Sequence, residues 1–386
     1  MNFFQLPTVH KRDDLTHIMY ASFFNHHERK VNRTFMKYLN ALKSKIDGSS
    51  VAWTKYKKYT NPYEFIHTCV PSTSQSISSL TPLSRSYYKM VEICHTFDLL
   101  KDDSPITTFH LAEGPGGFIE ALSDLRNNNL HDTYYGMTLN DPSNTNVPGW
   151  NKTQAFLDSH PNVVIESGVT QDGDITAPQN LLYCHQKYKG TMDLVTADAG
   201  IDYSFDFALQ EHTSANLILC QVAFGCAMLK SGGTFIVKMF DISTSFSVDM
   251  MYFLSLAFDN VHIFKPNTSR YANSERYIVC QGFRLEGDIR LVDFFCRTMN
   301  HSVSRLFLQD VPYMYLTKLE ECNAIIGQQQ VEHILFTLSL LDNPKLNRLE
   351  SIRRRHVTLC MKWCEKHDIP THAVVQSNIF SQHNVA

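Results

Sequence analysis

Thr107-Thr108-Phe109-His110-Leu111-Ala112-Glu113-Gly114-Pro115-Gly116-Gly117-Phe118 reads as a strand, a glycine-rich turn and the opening of a helix. The strand runs from Thr107 to Ala112, and the helix continues from Phe118 to about Leu125. Glycines in such a turn let the backbone approach a ligand, and the helix start offers N–H groups. Pro115 and Phe118 do not fit the G-x-G-x-x-G dinucleotide fingerprint. A Gly-Pro-Gly-Gly turn can also be plain loop punctuation.

The same alternation continues on the C-terminal side. Thr133 to Thr138 and Asn162 to Glu166 read as strands, and Asp193 to Ala197 as another, closed by Asp198-Ala199-Gly200. A helical pattern around Ser214 to Leu229 leads through Ser231-Gly232-Gly233 into the strand Thr234 to Met239. A helix near Val248 to Phe258 feeds Val261 to Phe264, and the last strand spans Arg276 to Phe283. Strands alternating with helices imply an α/β fold with helices on both faces of a mostly parallel sheet. The connection Lys265 to Glu275 is too short for a crossover helix, so the last strand is expected to be antiparallel. The expected fold is a Rossmann-like, seven-stranded, mostly parallel sheet with helical N- and C-terminal extensions. The divisions are residues 1–80, 81–285 and 286–386.

Ligands of such sheets bind at the carboxyl ends of the parallel strands. Glu113 to Gly117, Asp198 and Lys238 all follow strand ends, and Glu275 begins the antiparallel strand on the same edge. Lys89 lies in the helical stretch Arg85-Ser86-Tyr87-Tyr88-Lys89-Met90-Val91-Glu92, whose apolar neighbours hold it near the sheet. Scattered lysines and acids are usually solvated ion pairs. Two lysines and two carboxylates converging on one cleft instead perturb each other, and a lysine left as the free amine is a base.

Composition narrows the class. The 386 residues are 43% hydrophobic with a net charge of −3, so the whole molecule is not a basic nucleic-acid binder. No stretch has the length of a membrane-spanning helix, and no secretory pattern opens the chain. The ten cysteines lack a framework spacing, which suits reduced thiols in a cytosolic or nuclear protein. The charge is uneven: Arg29, Lys30, Arg33, Lys37, Lys43, Lys45, Lys55, Lys57 and Lys58 face only Asp47 between residues 29 and 58. Trp53, Tyr56 and Tyr59 interleave with the last lysines, a mixture suited to single-stranded RNA as well as to a solvated helix face.

Taken in order, these motifs resemble the FtsJ family of ribose 2'-O-methyltransferases, within it most closely the cap-specific messenger-RNA enzymes. His110 to Ile119 resembles their adenosylmethionine loop, Val195-Thr196-Ala197-Asp198 their aspartate segment, and Gly232 to Phe240 their lysine strand. Phe264 to Arg270, Asn273-Ser274-Glu275 and Tyr277 to Cys280 resemble their final hairpin. Lys89 matches the first lysine of the family's Lys-Asp-Lys-Glu tetrad, in a context similar to that of the cap-2-type enzymes. The resemblance implies Lys89, Asp198, Lys238 and Glu275 as catalytic residues and S-adenosyl-L-methionine as cofactor. Lys238 would be the general base, Lys89 would tune that amine or hold the hydroxyl, and Glu275 would fix the lysines. Glu113, Gly114, Pro115, Gly116, Gly117 and Phe118 would hold the cofactor, with Asn140 near its ribose, Asp174 near its adenine and Asp198 alongside. Gly114 stands where many family members have alanine. The implied partner is the capped 5' end of messenger RNA, at its first or second nucleotide, and Lys55, Lys57, Trp53, Tyr56, Arg85 and Arg270 are the candidates for contact. No membrane and no metal are implied, and the compactness of the chain is compatible with a viral source.

His356, Cys360, Cys364 and His367 share one helix face, yet one straight helix cannot wrap ligands spread over three turns around a tetrahedral ion. Arg353-Arg354-Arg355 beside them suits RNA or solvent. An adenosylmethionine enzyme acting on a small molecule or a protein would explain the glycine turn but not the two lysines or the basic aromatic N-terminal segment. A silent RNA-binding scaffold would need none of the four tetrad residues, and ribosomal or transfer RNA stays open as substrate.

Overall fold

A computed structural model of the chain describes residues 3–9, 19–22, 28, 30–47, 50–101, 103–141, 149–200 and 210–372. The central sheet contains β1 (Phe3–Gln5), β3 (Thr107–Leu111), β4 (Thr133–Met137), β5 (Val163–Ile165), β6 (Met192–Ala197), β7 (Leu229–Met239), β8 (Phe258–Phe264) and β9 (Arg276–Phe283). Their order is β1-β8-β9-β7-β6-β3-β4-β5. Neighbours from β5 through β4, β3 and β6 to β7 are parallel. β9 runs antiparallel to both β7 and β8, as the short connection requires.

The period of two along each strand separates two cores. Phe109, Leu111, Val195, Ala197, Phe235, Val237, Ile278 and Cys280 face one side. They pack there with α6 (Pro178–Tyr188), α7 (Gln210–Met228), α8 (Ser245–Ala257) and α9 (Ile289–Thr298). Tyr134, Leu194, Ile236, Tyr277 and Val279 face the other side, with α3 (Ser86–Phe97), α4 (Gly117–Leu125) and α11 (Leu346–Lys366). Phe156 of the short α5 (Gln154–Ser159) packs against this second core.

A third, smaller core joins the two ends of the chain. Met36, Leu39, Leu42 and Ile46 recur at helical spacing on α1 (Arg33–Asp47) and pack, with Trp53 of α2 (Ser50–Thr60), on Val331 and Ile334 of α10 (Tyr313–Asp342). A buried polar network fastens this unit to the sheet. Lys43 of α1 lies 2.7 Å from Asp241, Arg276 donates to Asn323 of α10 at 2.7 Å, and Asn323 donates to the Ile242 carbonyl at 2.6 Å.

Three expectations change. The sheet has the seven expected strands plus β1, which pairs Phe3 with Phe264 and Gln5 with His262. The N-terminal extension is therefore not purely helical. The C-terminal extension also contains a strand, β10 (Arg305–Phe307), paired with β2 (Met19–Ser22). Strands of three and four residues carry no readable period, and their partners are remote in sequence. Lys43 is buried in its ion pair, so it does not belong to a solvated basic face. Arg29 lies outside the described residues.

Candidate active site

Strand register brings the four tetrad residues together. Lys238 pairs with Tyr277 across β7 and β9, so their side chains share the sheet face that α3 covers. Lys89 enters from α3 on that face, and Asp198 follows the end of neighbouring β6. Lys238 Nζ lies 3.0 Å from Asp198 Oδ1 and also donates to the Asp198 carbonyl at 2.8 Å. Lys89 Nζ lies 2.8 Å from Glu275 Oε1, an ionic contact without hydrogen-bond alignment. Tyr277 links the two pairs: its hydroxyl donates to Asp198 Oδ1 at 2.7 Å and accepts from Lys89 Nζ at 3.2 Å.

Lys89, Lys238 and Glu275 are only 4%, 8% and 6% exposed, so their charges are barely screened. Burial lowers the Lys89 amine below its ordinary range, against the opposing pull of Glu275 and Asp198. Burial alone would raise the Glu275 carboxyl, but Lys89, Lys238 and Lys265 override it and hold the group ionised. Gly200 keeps room in front of Lys238, because a Cβ there would stand 3.3 Å from the amine.

The loop that delivers Glu275 is held by residues the motifs did not single out. Buried Lys265 donates to the Asn273 carbonyl at 2.9 Å and to the Glu275 carbonyl at 2.6 Å, closing the hairpin on itself. Burial pushes its amine down to about 7. Glu92, one turn beyond Lys89 on α3, accepts from the N–H groups of Asn267 and Thr268 and from both side chains, at 2.7 to 3.1 Å. Buried Glu64 accepts two hydrogen bonds from Arg270. Burial would raise the Glu64 carboxyl, but Arg270 brings it down to about 2. Helical spacing from Lys89 was the one available signal for Glu92.

The glycine turn lies beside Asp198, because β3 and β6 are neighbours. Gly114 packs on the chain at residue 149, where a Cβ would meet the Gly149 carbonyl oxygen at 2.4 Å. Gly116 has φ +110°, a conformation that favours glycine. A Cβ on Gly117 would press on Ser84 and Ser86. The Pro115 carbonyl accepts from Thr153 Oγ1 at 2.7 Å. The helix start does not offer all its N–H groups: Glu113 Oε1 accepts from Phe118 N at 2.5 Å and Ile119 N at 3.3 Å. The Phe118 ring is fully buried against Tyr277, so Phe118 supports the site from beneath. Burial, then the nearby Asp198 charge, push the Glu113 carboxyl well above its ordinary range.

The stretches carrying Asn140 and Asp174 lie against each other. Asn140 N donates to the Asp172 carbonyl at 2.7 Å, and Gly173 sits so close to the Thr138 carbonyl that no Cβ would fit. Asp174 Oδ1 is engaged by Thr176 N and Oγ1, both at 2.8 Å, leaving Oδ2 for a ligand.

A cavity of about 160 Å³ is lined by Trp53, Lys57, Arg270, Tyr271, Ser274 and His333 among others, so the chain just before Glu275 forms part of its wall. Of the six candidates for RNA contact, Trp53, Lys57 and Arg270 meet here. Burial, then Arg270, lower the Lys57 amine. Lys55 lies instead on the exposed side of α2, 5.4 Å from the Tyr56 ring centroid. Arg85 opens α3, and its charge acts on Lys89 and Glu275.

Cys360 and Cys364 belong to the second core, and His356 is buried near Phe65. His367 stacks on His95 with ring centroids 5.1 Å apart. Among the described residues no group of His, Cys, Asp and Glu is placed to hold a metal ion, and no helix is long and apolar enough to cross a membrane.

A family model described as FtsJ-like methyltransferase matches residues 82–283. The chain is 35% identical over 266 residues to cap-specific mRNA (nucleoside-2'-O-)-methyltransferase 1 of Xenopus laevis, covering 63% of this chain and 29% of that protein. It is 30% identical over 333 residues to cap-specific mRNA (nucleoside-2'-O-)-methyltransferase 2 of Danio rerio, covering 82% of this chain and 44% of that one. A solved ribosomal RNA methyltransferase of Plasmodium falciparum matches with a TM-score of 0.37 and 22% identity, over 53% of this chain and 99% of that one. The chain thus spans less than half the length of either curated relative. The matched segment takes in β3 through β9 with Lys89, Asp198, Lys238 and Glu275, and the chain belongs to the FtsJ-like methyltransferase family.

Proposed function

We propose that the protein transfers a methyl group from S-adenosyl-L-methionine to a ribose 2'-oxygen of RNA, at the first or second nucleotide of capped messenger RNA. The observation that carries this reading is the pair of buried lysine–carboxylate contacts joined through Tyr277 at the carboxyl edge of the sheet. The cap-specific names of the relatives supply the substrate class.

Lys238 Nζ, held between the Asp198 carboxylate and carbonyl, would accept the 2'-hydroxyl proton as general base. Lys89, paired with Glu275 and donating to Tyr277, would hold the acceptor oxygen through a further N–H. Bound S-adenosyl-L-methionine supplies an electrophilic methyl group on a positive sulfur. Asp198 would offer that cation negative charge, and the turn Gly114, Gly116 and Gly117 would let the backbone lie close. Asn140 would meet the ribose and Asp174 the adenine. As the 2'-oxygen takes the methyl group, its proton would pass to Lys238 Nζ. Orientation in the buried site does most of the work.

Residues 81–285 form the catalytic unit in this reading. Trp53, Lys57 and Arg270 border the cavity where RNA beside the acceptor would sit.

Methyl transfer from labelled cofactor to uncapped, cap-0 and cap-1 RNAs tests this, with Lys238→Ala beside the wild type. Transfer to capped RNA at a mapped 2'-oxygen, lost in the variant, is expected. Transfer to ribosomal or transfer RNA alone would move the substrate. Cofactor binding without transfer to any RNA would favour the silent scaffold.

A further inference from the structure

Beyond the cavity bordered by Arg270 to Ser274 lies a second, of about 430 Å³, between α2, α10 and α11. Thr60, Tyr271 and His333 line both. The Tyr271 and His333 rings cross edge to face with centroids 4.9 Å apart, and the Thr60 carbonyl lies 3.1 Å from His333 Nδ1. The two spaces are therefore separated by a fixed aromatic partition. Phe336 adds a third ring to the far side.

One buried polar atom there has no hydrogen-bond partner, and one exposed cation is uncommitted. His356 lines the second cavity and is 6% exposed, yet its Nδ1 has no hydrogen-bond partner. A buried polar atom left without a partner costs free energy, which a ligand can recover. Arg355 also lines this cavity. Its neighbours Arg353 and Arg354 are both engaged by Glu350, whereas among the described residues no ion pair or hydrogen bond holds Arg355. Glu332, the one acid of the lining, accepts from Gln328 at 3.1 Å.

Rings for stacking, an uncommitted guanidinium for phosphate and an unpaired ring nitrogen for a base edge are the elements of a single-stranded nucleotide subsite. We propose that the second cavity binds a further nucleobase of the same RNA strand that occupies the first, stacked on Tyr271, His333 and Phe336, with its phosphate on Arg355. The strand would run from the tetrad through the first cavity and past the partition. This rests on the proposed methyl transfer to RNA. It explains why this chain's C-terminal helices, and not only its catalytic unit, would touch substrate.

Fluorescence anisotropy of the full chain with RNAs lengthened one nucleotide at a time tests it, with turnover measured in parallel. Affinity should rise about tenfold at the nucleotide that reaches the second cavity. Phe336→Ala and Arg355→Ala should each remove that step and leave binding of shorter RNAs unchanged. Arg355 is exposed, so its replacement leaves the fold intact. Its loss should also reduce the slope of log affinity against log salt by about 0.7, and Arg355→Lys should restore that slope. A step that persists in both variants, or an unchanged salt slope, would overturn the proposal. A step lost as expected, without turnover of any RNA, would support the subsite and refute the catalytic reading. No binding of any RNA would refute both.

Discussion

Glu275→Gln removes one charge with almost no change in shape, and its consequence is set by the cations around it. In the wild type the carboxylate stands 2.8 Å from Lys89, with Lys238, Lys265 and Arg85 also acting on it. Removing one partner of a buried pair leaves the other uncompensated, a cost of about 3–5 kcal/mol. The cost depends on pH. The folded Lys89 amine is already lowered by burial, and Glu275 is the first group that opposes this. Without it the amine falls further. The unfolded state then binds the proton more tightly than the folded state, so stability rises with pH across the interval up to the unfolded lysine value. Lys265, at about 7, sheds its proton within the same interval. The deficit of Glu275→Gln should therefore be largest near pH 6 and shrink toward pH 10. Denaturant midpoints of both proteins at unit pH intervals measure it, converted with a common slope. A deficit of the same size at every pH, or none at pH 6, would show that the lysines do not depend on this carboxylate.

Other perturbations follow from the same contacts. Gly114→Ala should cost about 1–3 kcal/mol of stability and weaken cofactor binding, because the added Cβ meets the Gly149 carbonyl at 2.4 Å; unchanged melting and calorimetric affinity would refute this. Glu92→Gln loses charge-assisted hydrogen bonds to Asn267 and Thr268, and should lower kcat tenfold or more with cofactor affinity retained. Steady-state kinetics decide it, and wild-type turnover would mean that the hairpin is held elsewhere. Lys57→Ala should weaken RNA binding with little effect on cofactor binding, since Lys57 lines the first cavity; RNA titrations at several salt concentrations measure the loss.

The parallel core was legible because its strands are bounded by strong signals. The glycine turn after Leu111, the Asp198-Ala199-Gly200 stop and the short link before Arg276 each fix an end, and ends decide which residues share an edge. The supports behind that edge were not legible. Glu64, Glu92 and Lys265 look like ordinary charged residues in the sequence, and only folding places each in a buried hydrogen-bonding position. Glu113 shows the same limit locally. Its place after β3 was clear, but not that its side chain would claim the N–H groups of Phe118 and Ile119. Lys43 misled in the opposite direction, since counting charges along α1 cannot distinguish its solvated lysines from the one paired with Asp241.

That ion pair also bears on how the extensions relate to the chemistry. Asp241 lies three residues after Lys238, and Arg276 directly follows Glu275. Through Lys43, Asp241, Arg276 and Asn323, α1 and α10 are fastened to the strand ends that carry half of the tetrad. Lys43 itself lines the cavity with Trp53, Lys57 and His333, so this buried pair forms part of the cavity wall. A site whose selectivity depended on a loosely tethered extension would lose register between the bound strand and the acceptor oxygen. In the proposed reaction the buried charges set that register, and Lys43→Met should spread methylation over more than one nucleotide, mapped on the product RNA, before calorimetric cofactor affinity falls.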